Sequence, residues 1–146
     1  MSLRRLRAGE IVATVGCGLV IVSLTRPWYQ SPIGNLDVWD TFGPGAVLIL
    51  ASLCAGLAMV VTALTERTPA LPIATAVWCV PLALFAVIAG VVRVVERPDH
   101  ATGLCAGSWL ALVGSALILV GAWLVMRDEH TSLYPPAEPE PRPRPQ

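Results

Sequence analysis

The chain has 146 residues, of which 55% are hydrophobic and only 14% are charged, and its ten basic and ten acidic residues balance to a formal net charge of zero. This composition lies outside the range of ordinary soluble domains and favours a membrane protein. A zero net charge, with no basic patch that carries interleaved aromatic residues, argues against nucleic acid as a partner.

Long apolar runs dominate the chain. A bilayer core of roughly 30 Å needs about 20 apolar residues per helix. Runs near that length occupy residues 8–25, 44–64, 71–95 and 104–126. The first is the shortest, and Pro81 predicts a bend in the third. The sequence therefore predicts an all-α fold, a four-helix transmembrane bundle (8–126) with antiparallel up-down topology.

The arginines indicate an orientation in the membrane. Positions on one predicted side are Arg4, Arg5, Arg7, Arg67 and Arg127, and those on the other side are Arg26, Arg93 and Arg97. By the positive-inside rule both termini are cytoplasmic and the loop 26–43 is outside. Residues 1–7 form a basic cytoplasmic N-terminus. No small-x-small cleavage site precedes Arg26, which favours an uncleaved first helix in the plasma membrane.

Small residues recur at seven-residue spacing within the apolar runs. Helices in lipid associate through close packing at such residues, so these stripes predict helix–helix seams. The fourth run contributes Gly107, Gly114 and Gly121, the third contributes Ala76, Ala83 and Gly90, and the second contributes Gly45, Ser52, Gly56 and Ala63.

The loop after the first run holds four of the nine aromatic residues, in the stretch TRPWYQSPIGNLDVWDTFGP. Trp28 and Tyr29 follow the first run, and Trp39 and Phe42 precede the second. Aromatic side chains favour the headgroup level, so we expect these four to fix both ends of the loop at the outer interface and to offer a surface to a partner. The segment SPIGN predicts a turn, and LDVWDTF predicts a short interfacial helix.

Reactive chemistry is not indicated. The four cysteines, Cys17, Cys54, Cys79 and Cys105, fall one per helical run at different depths and lack C-x-x-C spacing, so we expect four separate buried thiols and no metal site. Glu10 and Arg93 lie near the ends of their runs and are predicted to be interfacial. Two carboxylates alone make a weak cation site, so a solvated loop is the favoured interpretation for Asp37 and Asp40. The sequence has no triad-like arrangement and no Gly-rich phosphate loop, so we expect neither an enzyme nor a cofactor.

The residues Pro27, Trp28 and Tyr29 after the first run, followed by a W-x-x-F element at Trp39 and Phe42, resemble a group of short actinobacterial four-helix membrane proteins of unknown function. The resemblance implies the helix plan and no catalytic or binding residue. Small multidrug exporters are also short four-helix proteins, but the mid-membrane glutamate of their first helix has no counterpart here, because Glu10 lies at the membrane edge.

Residues 127–146 are predicted to be a disordered, Pro-rich cytoplasmic tail. The sequence as a whole favours a non-catalytic structural or accessory subunit of a membrane or cell-envelope complex, with the lipid bilayer and a larger membrane protein as partners. An oligomeric transporter or channel for a small neutral or apolar solute is the alternative. A stress sensor that uses the loop outside and the tail inside is a third interpretation, and a homo-oligomer stays open.

Overall fold

A computed structural model describes residues 8–32, 34–65, 70–97 and 101–129. The predictions for the basic segment 1–7 and for residues 130–146 of the tail lie outside these ranges. Within them the chain is mostly helical. The helices are α1 (Ala8–Leu24), α2 (Val38–Phe42), α3 (Pro44–Thr65), α4 (Ala70–Val95) and α5 (Ala106–Glu129). The strands are β1 (Tyr29–Ser31), β2 (Gly34–Leu36) and β3 (Gly103–Leu104).

Three helical segments, Gly45–Thr65, Ala74–Val95 and Ala106–Arg127, are long and apolar enough to cross a membrane. The helix α1 is equally apolar but has 17 residues, about 25 Å of helix. The described part of the chain is therefore predominantly helical and contains three helices of membrane-spanning length and composition.

The fourth apolar run does not become helical at its first residue. Leu104 lies in strand β3 and pairs with Tyr29, and the N–H of Cys105 donates to the carbonyl of Trp28. These backbone bonds hold the chain extended, so α5 begins only at Ala106. At its other end α5 continues to Glu129, so the boundary predicted between helix and tail at residue 126 falls too early.

The helices α1 and α5 form the most extensive helix pair, and they run antiparallel. A Cβ built on Gly16 would lie 2.7 Å from the carbonyl oxygen of Gly114, and one built on Gly9 would lie 2.7 Å from that of Gly121. The two backbones are thus in direct contact at both positions, which only residues without a side chain permit. We call these four glycines the glycine seam.

The other two long helices pack against this pair and against each other. The helix α3 packs on α4 and, less extensively, on α1, while α4 packs on α5. On α4, Ala76 and Ala83 are buried, and Gly90 faces Leu112 of α5. Gly56 of α3 approaches both Cys17 of α1 and Ile118 of α5, so three helices meet at this residue.

Candidate functional site

The loop after α1 folds into a small sheet together with the segment before α5. We call residues 26–32, 34–42 and 101–105 the β cap. The strand order is β2-β1-β3, and both pairings are antiparallel. In the hairpin Ser31 pairs with Gly34, and the φ of Gly34 is 143°, a value that L side chains rarely adopt. The turn expected from SPIGN is present between these strands.

The third strand joins two loops that are far apart in sequence. Tyr29 pairs with Leu104 and Gln30 pairs with Gly103. The carbonyl of Gln30 also accepts from the N–H and the hydroxyl of Thr102, at 2.8 and 3.2 Å. The β cap therefore ties the segment after α1 to the segment before α5 through backbone hydrogen bonds.

Trp28 is buried inside the protein, with 1% of its surface exposed. Its indole N–H donates to the carbonyl of Ser23, 3.0 Å away in the last turn of α1. Carbonyls in a last helical turn lack an intrahelical donor, and the Ser23 carbonyl accepts both from this indole and from the backbone N–H of Arg26, the latter at 3.2 Å. The prediction that Trp28 faces the headgroups is wrong, because its polar group finds a partner within the protein.

Tyr29 is likewise buried, and its hydroxyl donates to the carbonyl of Arg93 near the end of α4, at 2.9 Å. The headgroup-facing prediction is wrong for this residue too. Burial raises the pKa of Tyr29 above its ordinary value, and the positive charge of Arg93 offsets part of the increase. The phenol is thus held neutral and connects the β cap to α4.

Gly107 also serves the β cap, although its spacing from Gly114 suggested a place in a helix–helix seam. Its N–H donates to the carbonyl of Pro27 at 3.1 Å. A Cβ on Gly107 would lie 2.6 Å from the Trp28 ring and 2.8 Å from the carbonyl oxygen of Arg26. The missing side chain makes room for the loop that carries Trp28.

The helix α2 presents the one aromatic side chain of the β cap that is described and exposed. Val38 is buried beneath the helix, whereas Trp39 is 60% exposed. The backbone N–H of Asp37 donates to Asp40 Oδ2 at 3.4 Å, as in a capping box. The spacing of these two carboxylates is thereby explained by the start of a helix. The side chain of Phe42 lies outside the described part of the molecule.

Several buried hydroxyl groups on the helices donate to nearby backbone carbonyls of their own segment. The hydroxyls of Ser23, Ser52 and Ser108 donate to carbonyls three residues earlier. Ser115 differs, since its hydroxyl is buried without a hydrogen-bond partner among the described residues. Glu10 is 7% exposed, so it is packed within the protein rather than turned toward the headgroups as an interfacial carboxylate would be.

The cysteines are dispersed. Cys17 and Cys79 are buried, Cys54 is exposed on α3, and Cys105 stands between β3 and α5. The prediction of buried thiols is confirmed for Cys17 and Cys79 and is wrong for Cys54. The expectation of one cysteine per helix is wrong for Cys105, because the pairing of β3 delays the start of α5. Within the described ranges, no group of three or more His, Cys, Asp or Glu side chains is placed to hold a metal ion.

Sequence reasoning missed two features of this arrangement. Gly9 and Gly16 were not recognised as the partners of Gly121 and Gly114, although their seven-residue spacing was the available signal. Strand β3 had no such signal, because two residues, Gly103 and Leu104, are too few to show a period.

Comparison with known proteins yields no relative. No protein-family model matches the chain, and neither a curated protein nor a solved structure matches it significantly. A function therefore has to be inferred from the β cap and from the helix packing alone.

Proposed function

We propose that the protein is a multi-pass protein of the cytoplasmic membrane and acts as a non-catalytic structural or accessory subunit of a larger membrane or cell-envelope complex. In this proposal α1, α3, α4 and α5 form a four-helix transmembrane bundle with up-down topology. Both termini are cytoplasmic, and the β cap is on the outer face.

Charge placement supports this orientation. Arg26 is the first residue of the β cap, and the carbonyl of Arg93 accepts the hydrogen bond of Tyr29, so both lie at the cap end of the helices. Arg127 lies at the opposite end of α5. Three further arginines, Arg4, Arg5 and Arg7, precede α1 in the sequence on that same predicted side. An excess of arginine opposite the β cap is what the positive-inside rule associates with the cytoplasm.

One observation carries the accessory role. Within the β cap, Trp28 and Tyr29 are buried and bonded to α1 and α4, while Trp39 projects from the same unit with 60% of its surface exposed. Exposed tryptophans on pre-ordered surfaces are the residues that most often dominate binding energy at interfaces. Because the cap is already ordered, binding of a partner there carries little additional entropic cost for loop ordering.

The test is the size and composition of the particle that full-length protein forms in mild detergent. Wild type is expected to purify with a stoichiometric larger subunit, and Trp39→Ala is expected to weaken that association at least tenfold. Trp109→Ala is the matched control, because Trp109 is also half exposed but lies on α5 outside the β cap. A particle that contains only copies of this chain would contradict the accessory role.

A second function, an oligomeric transporter or channel for a small neutral solute, is favoured by Ser115. Its hydroxyl is 1% exposed, lies near the middle of α5 and has no hydrogen-bond partner among the described residues. An unsatisfied buried hydroxyl costs about 1–3 kcal/mol, so a polar guest that completes it would be favoured there.

Flux measurements separate this function from the accessory role. Vesicles that contain the full chain are assayed for glycerol and urea efflux, with Ser115→Ala compared with Ser108→Ala. The hydroxyl of Ser108 already donates to the carbonyl of Cys105, so its loss is the matched control. A transporter predicts lower flux for Ser115→Ala only, and flux equal to that of empty vesicles would contradict it.

A further inference from the structure

Helix α5 carries two exposed tryptophans, a residue type that favours the membrane–water interface. Trp109 and Trp123 are 50% and 60% exposed, and they stand 14 residues apart in the sequence, which is about 21 Å along a helix. Side chains on one helix lean toward its N-terminus. Both indoles therefore lean the same way, and the separation of the rings follows that of the backbone.

Helix α4 carries two markers at nearly the same spacing. Trp78 is 72% exposed, and Arg93 follows it by 15 residues, about 22 Å away along the axis.

The β cap links the cap-side ends of the helices. The hydroxyl of Tyr29 bonds to the carbonyl of Arg93, and the indole of Trp28 bonds to that of Ser23 at the end of α1. The N–H of Gly107, two residues before Trp109, bonds to the carbonyl of Pro27. The cap-side ends of α4 and α5 are thereby linked through the β cap, and on each helix the second marker lies about 21–22 Å toward the opposite end.

We propose that the bundle is matched to a bilayer whose hydrocarbon core is several ångström thinner than average, and that it thins a thicker bilayer around itself. This inference depends on the membrane placement proposed above. Trp and charged side chains favour the interfaces, and their levels here lie about 21 Å apart, against roughly 30 Å for an average core.

The lengths of the apolar helices correspond to a thicker hydrocarbon core. Apolar side chains continue beyond the markers, at Val95 on α4 and Met126 on α5, so length alone fits an average bilayer. The marker separation and the helix length therefore predict different lipid chain lengths for maximum stability. A mismatch costs fractions of a kcal/mol per ångström, which is enough to order the protein's stability among bilayers.

The experiment uses the full chain in phosphatidylcholine vesicles whose monounsaturated chains range from about 14 to about 22 carbons. The denaturant midpoint of unfolding is measured in each. The proposal expects the highest midpoint at about 14–16 carbons and a steady fall toward longer chains. A maximum at the longest chains, or equal midpoints throughout, would overturn it. Failure of the protein to float with any of the vesicles would instead contradict the membrane placement.

A shifted-marker variant sharpens the test. Trp78→Leu with Ala74→Trp, and Trp123→Leu with Met126→Trp, move the cap-distal indoles outward by about 5 Å. The optimum is then expected at longer chains. The control, Trp78→Tyr with Trp123→Tyr, keeps an interfacial aromatic at each original level, so its optimum is expected to stay. Equal behaviour of the two variants would show that the indoles do not set the match.

Discussion

The glycine seam and the β cap both connect α1 to α5, but they do so by opposite means. In the seam, Gly9 and Gly16 let the α1 backbone contact the α5 backbone because no side chain intervenes. In the cap, Trp28 and Tyr29 are among the largest fully buried side chains of the described structure, and each donates a hydrogen bond to a helix-end carbonyl.

This difference predicts that the two regions are sensitive to opposite kinds of substitution. Adding an atom to the seam forces backbones apart, whereas removing an atom from the cap leaves a cavity or an unsatisfied carbonyl. The seam tolerates no added side chain, and the buried part of the cap tolerates no truncation. Substitutions that add atoms in one region and remove them in the other test this contrast.

The largest effect is expected for Trp28→Ala. Truncation of a buried tryptophan typically costs about 3–5 kcal/mol, here through the cavity and the loss of the donor to the Ser23 carbonyl. The free energy of unfolding is measured by denaturant titration in detergent micelles. Trp109→Ala removes an indole of equal size that is half exposed, and a comparable loss in that control would show that Trp28 is not specially placed.

The next largest effect is expected for Gly16→Ala, at about 1–3 kcal/mol. The added Cβ would meet the Gly114 carbonyl oxygen at 2.7 Å and the Ile118 nitrogen at 2.8 Å, and neither backbone atom can turn away. Gly18→Ala, two residues further along α1, meets nothing within 4 Å. That control is expected to be neutral, or stabilising by up to about 1 kcal/mol through helix propensity. Equal destabilisation by both changes would argue against direct backbone contact.

The seam and the cap also differ in how far sequence could predict them. The apolar runs predict all four long helices to within a few residues, since run length and period are local properties. The stripe through Gly114 and Gly121 is visible in the same way. Its partners Gly9 and Gly16 share the spacing, but which helix faces which depends on the folded arrangement.

The cap was predictable only in its local parts. The turn before Gly34 and the short helix that contains Trp39 follow from residue type. The pairing of Gln30 with Gly103 joins segments that are distant in the chain, and no local period encodes it. The orientation of Trp28 and Tyr29 depends on that pairing. Residue type alone predicts that both side chains face the headgroups, whereas both are buried in the protein.

A smaller effect, about 1 kcal/mol, is expected for Tyr29→Phe, which removes the donor to the Arg93 carbonyl and leaves the ring in place. The pH dependence provides a second readout. Because the folded pKa of Tyr29 is raised, its contribution to stability is complete below the unfolded pKa of about 10 and decreases as pH rises toward the folded value. Wild type should therefore lose stability above about pH 10, and Tyr29→Phe should lose less. Parallel pH profiles for the two proteins would contradict a buried, neutral phenol.

The smallest effect on stability is expected for Trp39→Ala, within about 0.5 kcal/mol, because the side chain is mostly exposed. The comparison within the cap is sharpest here, since Trp28 and Trp39 belong to one folded unit but differ in burial. Trp28→Ala should unfold the cap and thereby abolish any partner binding, whereas Trp39→Ala should leave the denaturant midpoint unchanged and still release the partner. If Trp39→Ala destabilised the protein as much as Trp28→Ala, the exposed tryptophan would be part of the fold, and its proposed role at an interface would lose its support.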